Sequence, residues 1–289
     1  MKRSKKPLTS NAKQTTGNGL RPVVVVEDDP FPRLIQVILD PTVSAARVAA
    51  FSHFFAHEEP DFTGWCARLR ARLKRLYPAE VRLVADQAGL LAALPGATAM
   101  VTESLTAGKQ EIAAAGGTLR IVQKYGTVLM SIDTAACRRA DIRVLTLRRR
   151  ANISCSEHAF GLMLVLARKI HETAGLISTK QLLAAGYSPT QFDRPHTANA
   201  NWARITGTRN LFGRQIGIVG FGEIGREVAL RAAAFGMRIV YTQRRRLARA
   251  EEARFGAAYA PLDALLAGSD FVSLHLPFND ATRGIIGRR

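Results

Sequence analysis

The stretch Gly217-Ile218-Val219-Gly220-Phe221-Gly222-Glu223-Ile224-Gly225-Arg226 decides how this chain folds. An apolar strand pattern, Ile216–Val219, runs into it, and a helical pattern from Ile224 to Phe235 runs out of it and stops at Gly236. A second apolar strand, Arg238–Thr242, follows at once. Gly220, Gly222 and Gly225 stand at Gly-x-Gly-x-x-Gly spacing between them. Each position has its own physical requirement. Gly220 permits a tight strand-to-helix turn, Gly222 leaves room for a phosphate to approach the backbone, and Gly225 lets the helix lie close on the strand. The free amides and the dipole at the helix start then attract an anion. A bare glycine triplet is common; the strand before it and the helix and strand after it make this one specific. The segment is therefore expected to hold a dinucleotide through Gly220, Phe221, Gly222, Glu223, Ile224 and Gly225.

The end of the second strand bears on the adenosine ribose. An acid there accepts hydrogen bonds from a 2′-hydroxyl, as in NAD sites. This chain reads Tyr241-Thr242-Gln243-Arg244-Arg245-Arg246, with no acid and three guanidinium groups. A guanidinium pairs with a 2′-phosphate in a fork, whereas a carboxylate repels it. The reading is a preference for NADP, with Arg244 the first contact and Arg245 the next. Gln243 leaves NAD open, because its amide can also accept from a ribose.

Working outward from this unit, short apolar runs alternate with helical patterns along most of the chain. Leu34–Leu39, Val81–Val84, Thr98–Val101, Leu119–Val122 and Ile142–Leu145 read as buried strands. Val43–His57, Trp65–Leu76, Ala85–Leu94 and Leu105–Ala115 read as helices between them. A long helical pattern runs from Ser154 to Ile177, with Ser154 or Ser156 as its N-cap. After the Pro/Gly/Asn-rich connection from Gly186 to Gly207, strands at Gln215–Val219, Arg238–Thr242, Ala257–Ala260 and Phe271–Leu276 alternate with helices again. Such alternation predicts the α/β class with parallel sheets. The expected layout is a basic disordered tail at 1–21, a flavodoxin-like parallel-sheet domain at 22–153, and a Rossmann domain at 154–289. The second domain ends after four strands of an order that usually continues, so Phe271–Leu276 is expected to be an exposed apolar edge.

Composition narrows the partners. Of the 289 residues, 41 are Lys or Arg against 23 Asp or Glu, a formal charge of +18. Lys2, Arg3, Lys5, Lys6, Lys13 and Arg21 fall in the polar N-terminal stretch. Such a charge attracts polyanions in general, but no base-reading motif accompanies it, so a small anionic substrate is favoured over specific nucleic acid. No apolar run approaches the roughly 18 residues of a membrane span. Cys66, Cys137 and Cys155 have no metal-ligand spacing and read as reduced thiols of a cytoplasmic protein.

With these residues in view, the chain from about Leu119 onward resembles the D-isomer-specific 2-hydroxyacid dehydrogenases, of the phosphoglycerate and glyoxylate/hydroxypyruvate type. Four segments in the right order carry the resemblance. Ile121-Val122-Gln123-Lys124-Tyr125-Gly126, with Ile132-Asp133, looks like the loop after a first-domain strand. Ser156-Glu157-His158-Ala159 looks like the start of the helix that links the domains. Gly213 to Gly225 matches the nucleotide loop. Ser269 to Pro277, then Thr282 to Gly287, looks like the fourth strand and the loop lining the adenosine.

The resemblance implies hydride transfer between a nicotinamide and a small 2-hydroxy or 2-oxo acid. It implies that backbone amides at Gly126 and Thr127 hold the substrate carboxylate, that His275 and Pro277 lie along the cofactor, and that the protein is a homodimer. It also places the family's catalytic Arg, Glu and His beyond Arg289. No catalytic residue is assigned in this chain, which is expected to be truncated and to show little turnover alone. A non-catalytic dinucleotide-binding sensor or scaffold is the alternative.

Overall fold

The computed structural model describes residues 21–73, 75–190, 195–196 and 200–287. The expected tail, apart from Arg21, and parts of the 186–207 connection lie outside the described residues. The chain forms two compact units, Met1–Tyr125 with Leu129–Leu147, and Gly126–Val128 with Arg148–Arg289.

In the first unit, Val23–Glu27 forms β1, Glu80–Val84 β2, Ala99–Thr102 β3, Ile121–Lys124 β4 and Arg143–Thr146 β5. All pair in parallel, in the order β2-β1-β3-β4-β5. Val24 lies opposite Val81 on one side and Ala99 on the other. Alternate side chains point to opposite faces of a strand, and both faces of this sheet are covered. Val25, Met100 and Val122 pack with Leu90 and Leu94, while Val24, Val26 and Val101 pack with Leu39.

One element differs in kind from the sequence expectation. Leu34–Leu39 is a helix, and the first strand is Val23–Glu27. A short apolar run has no period that separates a buried strand from a buried helix. The four consecutive valines of β1 suit a pleated sheet better than Leu-Ile-Gln-Val-Ile-Leu does.

In the second unit, Gln215–Val219 forms β6, Arg238–Thr242 β7, Ala257–Tyr259 β8 and Phe271–Leu274 β9. The parallel order is β8-β7-β6-β9. Helix Glu223–Ala234 connects β6 to β7, and Ile216, Ile218, Val228, Ala232, Ile239 and Tyr241 form its core with Phe160 and Met163. Phe271–Leu274 is an edge strand, as expected, with Leu274 52% exposed.

The long helix begins earlier than Ser154 suggested. It spans Arg150–Arg168, a short helix at Ile170–Thr173 follows, and neither serine caps it. Ser154 Oγ donates to the Arg150 carbonyl and Ser156 Oγ to that of Ile153, the back-bonding that serines adopt inside helices. Among the described residues no helix is long and apolar enough to cross a membrane.

Candidate functional site

The site is built at the C-terminal end of β6. Gly220 turns the chain at φ +93°, a left-handed conformation open to glycine. A Cβ there would lie 2.4 Å from the His275 carbonyl oxygen, so the segment after β9 passes directly over the turn. A Cβ on Gly225 would lie 2.3 Å from the Gly220 carbonyl oxygen, which is the close approach of helix to strand. Gly222 is different: a Cβ there would meet no protein atom within 4 Å. The protein's own packing therefore places no demand for glycine at this position. Gly222 is the N-cap residue of Glu223–Ala234, where first-turn amides have no intrahelical acceptor. An open backbone surface at a helix start is a cradle that fits a pyrophosphate.

The turn is held rigid from below. Phe221 is buried, with its ring 4.7 Å from that of Tyr241 and edge-on to Phe255 at 5.5 Å. Arg226 donates to the Phe221 carbonyl at 3.3 Å and to Glu251 at 2.7 Å. Helix Glu223–Ala234 is fixed on its other side by Glu227. The carboxylate of this buried residue takes a two-pronged contact from Arg148, at 2.6 and 2.7 Å, and a bond from Arg231 at 2.9 Å. The Arg148 hydrogen bonds, with Arg231, hold the Glu227 carboxyl below its ordinary value.

The arginine run divides into two kinds. Arg246 forks onto Glu252 at 2.9 and 3.0 Å and lies over the Tyr259 ring at 5.6 Å. Glu252 also accepts from the buried Tyr241 hydroxyl at 2.8 Å, and that hydroxyl accepts from the Leu247 amide. Arg246 is thus a structural clamp on the turn after β7. Arg244 and Arg245 are exposed and have no side-chain partner among the described residues. Gln243 reaches across the turn to donate to the Arg245 carbonyl at 2.6 Å.

His275 follows β9, and its amide donates to the Val219 carbonyl at 2.8 Å. Its ring nitrogen Nε2 lies 2.8 Å from Ser273 Oγ, and burial holds its pKa below the ordinary imidazole value. Pro277 comes two residues later, where the chain leaves the sheet.

Gly126 and Thr127 adjoin the helix start in an arrangement the sequence did not suggest. The Glu223 carboxylate accepts from the Thr127 amide at 2.6 Å and the Val128 amide at 2.7 Å. The Thr127 hydroxyl adds contacts at 3.3 Å, and a Cβ on Gly126 would lie 2.8 Å from Glu223 Oε1. Of the two amides that the resemblance assigns to a substrate carboxylate, that of Thr127 is thus bound to a carboxylate of the chain itself, together with the amide of Val128. Glu227, Arg226 and Glu252 also escaped the sequence reading, since each acts through a partner that spacing does not reveal. Among the described residues, no three His, Cys, Asp or Glu side chains are grouped to hold a metal.

Comparison with known proteins agrees with this geometry. Residues 160–289 match the model of the D-isomer specific 2-hydroxyacid dehydrogenase, NAD binding domain. A hydroxypyruvate reductase of Thermotoga maritima is 33% identical over 201 residues, which are 69% of this chain and 58% of that protein. A D-3-phosphoglycerate dehydrogenase of Mycobacterium tuberculosis is 36% identical over 214 residues, 72% of this chain and 36% of that protein. One from Mycobacterium leprae is 32% identical over 211 residues, 72% of this chain and 36% of that protein. The chain thus spans between about a third and three-fifths of the length of these relatives. A glycine turn that opens a phosphate cradle at the end of a parallel strand, and the family match over the unit that contains it, lead to one assignment: the chain belongs to the D-isomer-specific 2-hydroxyacid dehydrogenase family and carries its nicotinamide-dinucleotide-binding domain.

Proposed function

We propose that this chain is the cofactor-binding portion of an NADP-preferring dehydrogenase that interconverts a small 2-hydroxy acid and its 2-oxo acid. The observation that carries the reading is the open space at Gly222, where a Cβ would meet no protein atom within 4 Å at the start of a helix whose first amides have no intrahelical acceptor. The bound nicotinamide supplies or accepts the hydride. The backbone of Gly220, Phe221, Gly222, Glu223, Ile224 and Gly225 holds the pyrophosphate, and His275 and Pro277 flank the adenosine side.

The NADP preference is supported by the two exposed arginines after β7. Arg246 is committed to Glu252, whereas Arg244 and Arg245 have their guanidinium groups open to a 2′-phosphate. Gln243 donates one amide hydrogen to the Arg245 carbonyl, and its oxygen is an acceptor for a ribose hydroxyl.

The expected domain layout supports the same function, with 22–153 as the substrate-binding domain and 154–289 as the nucleotide-binding domain. Backbone amides at Gly126 and Thr127 receive the substrate carboxylate once Glu223 withdraws. No residue of this chain is given the acid–base role. The protein works as a homodimer in the cytoplasm. The dimer is supported by an apolar surface on the second unit, where Leu162, Leu166, Ile170, Ile177 and Phe212 are all exposed and Ile177 reaches 89%. No relative named above is a sensor, and no observation favours the non-catalytic alternative.

Fluorescence titration of the chain with NADPH and with NADH tests the proposal. Saturable binding of both, tighter for NADPH, is the expected result. Binding of neither overturns the dinucleotide reading, and tighter binding of NADH overturns the preference.

A further inference from the structure

The first unit contains a cavity of about 390 Å³ that has no part in the nucleotide site. Phe31 and Arg33, from the segment after β1, form one side. Helix Ala45–Phe55 forms the other with Arg47, Ala50, Phe51 and Phe54. Those four follow i, i+3, i+4, i+7 spacing and therefore make one stripe along the helix.

Of the stripe, Phe51 packs against the buried core of Val37, Phe62 and Cys66. Phe55 adds to this anchor by stacking on Phe62 at 5.7 Å, and Phe62 in turn stacks on Trp65 at 5.8 Å. No residue of the helix is fully buried. Phe31 and Phe54 are 50% and 56% exposed on either side of the hollow. Aromatic rings half open around a concave space gain from an apolar body seated between them. The volume falls within the roughly 300–1,000 Å³ range of small-molecule pockets.

The charge at the rim selects the kind of molecule. Arg33 is matched by Asp28 at 2.6 Å. Arg47 is not matched: its Nη1 donates to the neutral side-chain oxygen of Gln36, and its Nε and Nη2 have no partner among the described residues. An arginine without a counter-ion, beside an apolar hollow, offers a charge-assisted contact to one anionic group.

We propose that this cavity binds a small organic acid with an aromatic or branched apolar body. The carboxylate sits on Arg47, and the body lies between Phe31, Phe51 and Phe54. The site uses no residue of the nucleotide unit, so it stands or falls independently of the cofactor assignment.

Calorimetric titration of the full chain with 4-phenylbutyrate, and with the uncharged 4-phenylbutanamide, is the test. The acid is expected to bind saturably and at least tenfold more tightly than the amide. Arg47→Gln should weaken the acid about tenfold and leave the amide unchanged, while Phe54→Ser should weaken both. A thermal melt checks that the variants fold. If Arg47→Gln lowers the melting temperature, Arg47→Lys, which keeps the charge, must recover part of the acid binding. Absence of saturable binding, equal affinity for acid and amide, acid binding unchanged in both variants, or no recovery with Arg47→Lys would each overturn the proposal.

Discussion

The carboxylate of Glu223, at the first position of helix Glu223–Ala234, accepts a 2.6 Å hydrogen bond from the amide of Thr127, 96 residues earlier in the chain. The bond holds a negative charge at the start of the helix expected to face the dinucleotide phosphates, and occupies one of the two amides expected to hold a substrate carboxylate, that of Thr127. Glu223 is therefore expected to stabilise the ligand-free protein and to oppose both anions.

Replacing Glu223 by Gln separates these effects. Removing one charge from the helix start should tighten NADPH binding about fivefold, since a unit charge a few ångströms away contributes about 1 kcal/mol. Loss of the charge-assisted bonds to Thr127 and Val128 should cost about 1–2 kcal/mol of stability. Fluorescence titration and thermal melts measure the two. Weaker NADPH binding in a folded variant would show that the carboxylate does not face the phosphates.

Gly222 and Gly225 should respond differently to alanine. Gly225→Ala drives a Cβ into the Gly220 carbonyl and should destabilise the protein by about 1–3 kcal/mol. Gly222→Ala meets no protein atom, so the melting temperature should hold while NADPH affinity falls at least tenfold. A Gly222→Ala variant that binds NADPH as tightly as the parent would place the phosphates elsewhere.

The arginines after β7 should separate affinity from stability. Arg244→Ala with Arg245→Ala should weaken NADPH by about 2 kcal/mol, roughly thirtyfold, and change NADH affinity less than about twofold. Arg246→Ala should instead lower the melting temperature, because it releases Glu252 and, through it, the buried Tyr241 hydroxyl. The ratio of NADPH to NADH affinities in the two variants and the parent decides the point.

Acid should unfold the second unit partly through Glu227. Its folded-state pKa lies below the ordinary 4.5, chiefly because Arg148 donates to it. The stability it contributes is therefore complete above pH 4.5 and is lost as pH falls through the folded value. Glu227→Gln should lower stability by about 2–3 kcal/mol near neutral pH and flatten the acid limb of the stability curve. An unchanged acid limb would contradict this.

His275 should be neutral at physiological pH. Burial places its pKa below 6.5, so the stability it contributes is present above that pH and lost as the pH falls through the folded value. NMR titration of the ring should give a midpoint below 6.5, and a midpoint at or above it would mean that the ring is solvated.

Much of the second unit was legible because its signals are local. Strand Gln215–Val219, the glycine turn, the helix that stops at Gly236 and strand Arg238–Thr242 depend on periodicity and on backbone freedom at single positions. The first unit was less legible at its start. Leu34–Leu39 and Val23–Glu27 are both short apolar runs, and only their places in the packed unit show that the first is a helix and the second a strand. The N-cap was misplaced for a similar reason: Ser154 and Ser156 have capping chemistry, but the preceding turn was free to continue the helix back to Arg150.

The sequence by itself determined the α/β alternation, the glycine turn after β6 and the cluster of arginines after β7, because each follows from the intrinsic conformational or charge properties of neighbouring residues. Tertiary structure decided which of those arginines are free, since Arg246 is set apart by a clamp on Glu252 that spacing does not encode. It also decided that Glu223 turns from the helix start to the amides of Thr127 and Val128. A carboxylate pairs with whichever donors the fold brings to it, and donors 95 and 96 residues away are brought there only when the chain has folded.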